Sequence, residues 1–337
     1  MKIEDLGEIG LIERIVKEFR ADQQIVPAGA GEDDCAIIDI EKAKGGFKYL
    51  VVTTDTLQES THFPSGISPF QMGWSAVAVN LSDIAAMGAY PFAFTIAMGI
   101  PAQAEVVFVD ELVAGIEKCA SSYTTLVVGG GMTKSKELIL TGTCIGFADN
   151  PIRRSGAKVG DLLCVTGSLG NAALALKVIK GELEVPEPVI ALAKRALFQP
   201  TPKVKEGIII ANSGLATSMM DISDGLALSL AEIAKKNKVG AELYEANIPI
   251  LSEELRREGG LDISMHERRE LGLYYGGDYE LLFTIDSRAL HHEELIEKLR
   301  REVKMSIIGT VVPPDEGITI KSGDRKEKME IRGYQHF

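Results

Sequence analysis

The sequence predicts two domains of α/β (α+β) class, and three observations carry that prediction. The chain is 337 residues long, about twice the usual single-domain size. Short apolar runs of strand length alternate with longer stretches of helical periodicity. The segment ADNPIRRSGAKVGD then interrupts that alternation with Pro, Gly and charge, which places a boundary near residue 150. The expected domains are 1–150 and 151–337.

Apolar residues at helical spacing predict an opening helix around Ile9–Phe19. A Gly- and acid-rich loop, PAGAGEDDC, leads into the strand CAIIDI, and YLVVTTDTL is a second strand. A small-residue helix runs from Pro69 to about Met87, with Gly88 as its stop. The strand PFAFTIAMGI, a helix around Val106–Ser121, TLVVGGG ending on a glycine turn, and the strand ELILTGTCIGF complete the first half. In the second half LLCVTG is a strand and NAALALKVI a helix. The prolines at 200 and 202 divide two further helices. ATSMMDIS is a strand ending on acid, LALSLAEIAKK an amphipathic helix, and ELLFTI and MSIIGTVV are late strands flanking a charged helix.

Composition excludes several functions. A net charge of −12 and 25% charged residues describe an acidic surface that repels nucleic-acid phosphates and anionic lipids. The four cysteines (Cys35, Cys119, Cys144, Cys164) form no CxxC pair, which argues against zinc and against a disulfide framework. The N-terminus is acidic and lacks an apolar signal core, and Asn80 and Asp83 interrupt the most apolar stretch. A cytoplasmic protein with no nucleic-acid or membrane partner is expected.

Aspartates stand where folding alone would not put them. Asp55 lies inside an apolar strand, and Asp221 closes one. Asp83 shares a helix face with Asn80 and Met87 on a helix otherwise built of Ala, Val, Ile, Leu and Met. A carboxylate in such surroundings costs several kcal/mol unless a cation or donors compensate. Asp33 and Asp34 could equally serve a turn, and Ser223 or Asp224 could cap the following helix. Several such acids together suggest a metal cluster. Hard carboxylate oxygens with Thr53, Thr54, Ser82 or Ser223 nearby suit magnesium, and magnesium with few protein ligands implies bound phosphates.

Familiar nucleotide loops are absent. GGGMTKS ends like a P-loop, but Thr133 occupies the second glycine's place. GSLGNAA does not match GxGxxG, and the kinase HRD and DFG motifs and GxSxG are missing.

Taken together, TTDTLQESTHF, NLSDIAAMGAYP, RSGAKVGD, VTGSLG, QPTPKV, MDISDGL, DYELLFT and the terminal GYQHF resemble the thiamine-monophosphate kinases of the aminoimidazole ribonucleotide synthetase superfamily, almost end to end. The hydrogenase maturation relatives differ in carrying NDLAMMGA and a terminal cysteine. Selenophosphate synthetases differ in an N-terminal Cys or selenocysteine. The resemblance implies a two-domain aminoimidazole ribonucleotide synthetase-like fold, with an N-terminal mixed sheet that forms a homodimer. It implies magnesium at Asp34, Thr53, Thr54, Asp55, Asp83, Asp221 and Asp224. It further implies ATP contacts at Gly130, Gly131, Arg154 and Ser223, and substrate contacts at His62 and Tyr334. The implied reaction is in-line transfer of the ATP γ-phosphoryl group to thiamine monophosphate, with no covalent nucleophile or general base.

Three positions depart from the family. Its GGD or GGN is Gly129-Gly130-Gly131 here, its GEDYEL begins Gly276-Gly277-Asp278, and its GDD is Glu32-Asp33-Asp34. These departures leave two alternatives open: an ATP-dependent relative with another small phosphate or amide as acceptor, and a nucleotide-binding regulatory protein without turnover.

Overall fold

In a computed structural model, residues 45–257, 263–288 and 293–335 are described, together with 14, 15, 17–19, 24, 25 and 42. The expected strand CAIIDI, most of the opening helix, Asp33 and Asp34 lie outside the described residues. The chain forms two compact units. The first runs to Ile84 and resumes from Ala89 to Asp149; the second takes Ala85–Gly88 and everything from Asn150.

The first unit holds a four-stranded sheet in the order β1-β4-β2-β3, made of β1 (Tyr49–Gln58), β2 (Tyr90–Ile100), β3 (Leu126–Lys134) and β4 (Ile139–Ala148). β4 is antiparallel to both β1 and β2, while β2 and β3 are parallel. A parallel neighbour needs a crossover, and α3 (Val106–Ser122) supplies it. The short α1 (Glu59–His62) and the long α2 (Pro69–Ala86) connect β1 to β2. Alternation along β4 shows how the sheet is used: Leu140, Gly142, Cys144 and Gly146 are buried, while Thr141, Thr143 and Ile145 are only half-buried. On β1, Leu50 and Val52 remain more than half exposed, at 53% and 59%. One face of this sheet is packed; the other is open.

The glycine run corrects the expectation of a turn. Gly129, Gly130 and Gly131 lie inside β3 and pair with Thr95, Ile96 and Ala97 of β2. Glycine reads as a turn residue in sequence, yet here it lets two backbones approach. A Cβ on Gly130 would stand 2.0 Å from the Ile96 carbonyl oxygen.

The second unit holds a seven-stranded sheet in the order β11-β10-β7-β9-β5-β8-β6. Its strands are β5 (Leu162–Thr166), β6 (Ala216–Ile222), β7 (Gly240–Tyr244), β8 (Glu280–Ile285), β9 (Met305–Val312), β10 (Ile318–Ser322) and β11 (Arg325–Lys328). Its helices are α4 (Asn171–Ile179), α5 (Glu187–Phe198), α6 (Val204–Ser213), α7 (Leu226–Asn237), α8 (Glu253–Arg257), α9 (Met265–Tyr274) and α10 (Glu293–Glu302). Every residue of β5 and β8 is buried, as continuous apolar runs covered on both faces should be. Leu226, Leu230 and Ile233 of α7 join Leu163, Val165 and Leu282 in the main core. Each such fully buried side chain contributes about 1.5–3 kcal/mol. A second cluster joins Ala173 and Leu174 of α4 to Val189 and Ala193 of α5. Among the described residues no helix is long and apolar enough to cross a membrane.

Candidate active site

Each unit presents its own set of candidate residues. In the first, strand alternation sends Thr53 and Asp55 to the side of β1 opposite Thr54. Thr53 Oγ1 donates to Asp83 Oδ2 on α2, and Asp55 Oδ1 accepts the Thr56 backbone N–H at 2.9 Å. The Thr54 hydroxyl is instead within 2.8 Å of Thr143 Oγ1 on the open face, so its side chain does not join those of Thr53 and Asp55. Asp83 is half-buried on a helix that fully buries its neighbours Asn80, Leu81 and Ser82.

His62 ends α1, and its Nδ1 accepts the Gln58 backbone N–H at 3.0 Å. The same Nδ1 lies 2.7 Å from Thr61 Oγ1 and 3.3 Å from the Gln58 carbonyl oxygen. The turn carrying His62 is fastened to the start of β4. Glu137 accepts from Gln58 Nε2 (2.6 Å) and from Ser60 N (2.9 Å), and these bonds hold its carboxyl below the usual range. Gly130 and Gly131 lie exposed on β3. A Cβ at Gly131 would meet nothing within 4 Å, so the missing family side chain is not excluded by packing.

In the second unit, Asp221 is buried at the end of β6, and Ser223 and Asp224 form the turn into α7. Neither caps that helix. Its N-cap is Gly225, with φ of 104° and no side-chain cap. The bland reading of Ser223 and Asp224 as capping residues therefore fails. Arg154 is exposed and pairs with Glu232 of α7 at 2.7 Å. Tyr334 N donates to the Asp224 carbonyl oxygen at 3.1 Å, which brings the terminal motif to the acidic turn.

Among the described residues no three His, Cys, Asp or Glu side chains stand close enough to hold a metal ion. Asp34 lies outside them, and Asp55 and Asp83 belong to one unit while Asp221 and Asp224 belong to the other. The donors are nevertheless carboxylate and hydroxyl oxygens throughout. That chemistry fits magnesium, which takes few protein ligands and completes its shell from phosphate and water.

Sequence reasoning missed two acids in DYELLFT, the half-buried Asp278 and the buried Glu280. Asp278 accepts Gly170 N at 2.6 Å and Ala172 N at 3.2 Å, closing the N-terminus of α4 in place of a local cap. Burial pushes its carboxyl up to about 7 against the pull of these amides. Glu280 accepts Thr166 Oγ1 at 2.6 Å and pairs with Lys203 Nζ at 3.3 Å. VTGSLG, QPTPKV and DYELLFT thus meet through two acids that stitch the fold. Gly277 adopts φ of +95°, a conformation that L side chains rarely take. Conversion to the family's Glu would strain this turn.

Both halves match known families. Residues 32–148 match the AIR synthase related protein, N-terminal domain, and residues 158–321 match the corresponding C-terminal domain. The thiamine-monophosphate kinase of Methanospirillum hungatei is 37% identical over 308 residues, covering 90% of this chain and 92% of that protein. The crystal structure of thiamine-monophosphate kinase from Stenotrophomonas maltophilia superposes with a TM-score of 0.78 at 30% identity, over 92% of this chain and 95% of that one. A structure of AaThiL complexed with AMPPCP and TMP superposes with a TM-score of 0.73 at 29% identity, over 100% and 99%. The chain belongs to the thiamine-monophosphate kinase family of AIR synthase related proteins.

Proposed function

We propose that the protein transfers the γ-phosphoryl group of ATP to the phosphate of thiamine monophosphate, giving thiamine diphosphate and ADP. The observation that carries this reading is kinship with thiamine-monophosphate kinases along nearly the whole chain, in both units. The acceptor oxygen is already anionic, so the reaction needs alignment and charge neutralisation more than a base. His62 fits that demand, because an imidazole can donate a hydrogen bond to an anion.

Asp55, Asp83 and Thr53 in one unit, and Asp221 and Asp224 in the other, are the residues that would hold magnesium, with Asp34 and Thr54 as the remaining family positions. When bound, the metal neutralises phosphate charge. Gly130, Gly131, Arg154 and Ser223 are the proposed ATP contacts, and His62 and Tyr334 the proposed acceptor contacts. Arg154 would exchange its surface partner Glu232 for phosphate, and an exposed ion pair of this kind costs little to break.

A homodimer through the open face of the first sheet is supported by Leu50 and Val52, which expose 53% and 59% of their surface along one edge strand. Cytoplasmic residence is supported by three buried free thiols, Cys119, Cys144 and Cys164. A net charge of −12 disfavours nucleic acid as a partner.

Purified protein incubated with Mg²⁺, ATP and thiamine monophosphate should form thiamine diphosphate, followed by chromatography. No product above a protein-free control would sink the proposal. Gly277, where the family has Glu, favours one second reading, a different small phosphate as acceptor. ADP formation with another phosphate, and none with thiamine monophosphate, is its signature.

A further inference from the structure

The turn that carries Asp224 is held from outside by two backbone segments. From one side, Tyr279 N donates to the Ile222 carbonyl oxygen at 3.1 Å and Gly277 N to that of Ser223 at 2.8 Å. The approach is close enough that a Cβ on Gly276 would lie 2.0 Å from the Ser223 oxygen. From the other side, Tyr334 N donates to the Asp224 oxygen at 3.1 Å, and a Cβ on Gly333 would lie 2.3 Å from that atom. Three successive carbonyls, 222 to 224, are therefore fixed by partners that the turn itself does not supply. Wherever those two segments sit, the Asp224 side chain and Tyr334 go with them.

One side chain ties the two segments together. Arg332 directly precedes Gly333 and Tyr334. Its Nη2 reaches both carboxylate oxygens of Glu270, at 2.6 and 2.7 Å, and its Nε donates to Glu330 at 2.9 Å. Its guanidinium carbon lies 3.7 Å from the centroid of the Tyr274 ring. Glu270 and Tyr274 are one turn apart on α9, whose chain continues through Tyr275 into Gly276 and Gly277. The same guanidinium thus grips the helix that delivers one segment and the stretch after β11 that delivers the other.

A lone surface ion pair contributes little to stability. Arg332 is differently placed, because a planar fork stacked on a buried ring and bonded to two carboxylates holds orientation as well as charge. We propose that Arg332 is a positioning residue for phosphoryl transfer, fixing Asp224 and Tyr334 relative to each other by locking the C-terminal segment to α9. The inference rests on the reading of Asp224 and Tyr334 as site positions.

Steady-state kinetics of the full chain, varying thiamine monophosphate and Mg²⁺ separately, test it. Arg332→Met keeps the length of the stem and removes the fork. It should raise KM for thiamine monophosphate and the half-saturating Mg²⁺ concentration by about ten-fold, while Tm falls by no more than about 4 °C. Arg332→Lys restores the charge without the fork or the stack and should recover only part of the loss. Glu270→Gln should reproduce the defect, and the double variant should be no worse than the worse single one.

A lower Tm with KM, kcat and Mg²⁺ dependence unchanged would make Arg332 a structural tie and overturn the inference. Should Arg332→Met not fold, Glu270→Gln decides by the same readouts. A wild-type protein that makes no thiamine diphosphate defeats the functional reading and takes this inference with it. An active wild type with kinetically silent variants defeats the inference alone.

Discussion

The two sheets of this molecule treat their carboxylates in opposite ways. In the first unit the sheet has one packed and one open face, and an acid can sit within the body of a strand because the strand itself is only half-buried. Asp55 does so, and Asp83 on the facing helix receives the hydroxyl of Thr53. In the second unit the central strands are buried on both faces, and an acid at or just before the start of one must be matched by donors from the fold. Asp278 and Glu280 are matched in this way, by amides, a threonine and a lysine. The acids proposed for chemistry there, Asp221 and Asp224, stand beyond or at the end of a strand. Asp278 and Glu280, each matched by donors from elsewhere in the fold, are read as structural acids, and Asp55, Asp83, Asp221 and Asp224 as those offered to ligands.

The sharpest break of that contrast is a pair of substitutions. Asp83→Asn preserves shape and an acceptor for Thr53 while removing the charge. Its kcat should fall by about 10²–10³-fold or more, with Tm unchanged. Retention of activity would make Asp83 a structural acid like Asp278. Asp278→Ala should do the reverse. It strips the acceptor from buried amides at the start of α4 and should cost about 1–3 kcal/mol in denaturant unfolding, with normal turnover per folded molecule.

Asp278 also carries a pH signature. Its folded-state pKa is raised to about 7 by burial, above the ordinary carboxylate value of about 4. Folding therefore takes up a proton between these values. The contribution to stability is fully present below about pH 4 and is lost as pH rises through about 7. Asp278→Asn should flatten the dependence of Tm on pH across that window. An unchanged slope would place the titration elsewhere.

Much of this was legible in the sequence, and the reasons for the rest are physical. Strands and helices with clean periodicity, such as β1, α2 and α4, fall where the sequence puts them, and the prolines at 200 and 202 do separate α5 from α6. Helix α9 was overlooked because its sequence, MHERRELGLY, is too charged to show an apolar stripe. Its start was signalled all the same, by a capping box between Ser264 and Glu267. The short strands β7, β10 and β11 offered too few residues for an alternation to register. The proposed acids were visible because charge on an apolar element is conspicuous locally. The structural role of Asp278 and Glu280 was not visible, because their donors come from Gly170, Thr166 and Lys203, about 75 to 115 residues away in sequence.

The open face of the first sheet sharpens the comparison at a lower level of effect. If a second copy covers it, Val52→Lys should dissociate the dimer, since a lysine at that point of β1 would put charge into an apolar contact. Sedimentation should show a shift to monomer at micromolar concentration, and a wild-type monomer would end the dimer proposal.

The smallest expected effect concerns neighbouring glycines of β3 that the structure treats differently. Gly130 is required by geometry, because any Cβ there would press on the Ile96 carbonyl. Gly131 is not: its surroundings are open, and it lies outside the left-handed region that favours glycine. The family carries Asp or Asn at this place, so the chain has lost a polar side chain without gaining a packing advantage. Gly131→Asp should therefore fold with little change in Tm. If the introduced carboxylate reaches the metal, the half-saturating Mg²⁺ concentration should drop by about two- to five-fold, the scale of one added partly exposed charge near a cation. An unchanged Mg²⁺ dependence would mean that β3 contributes backbone alone.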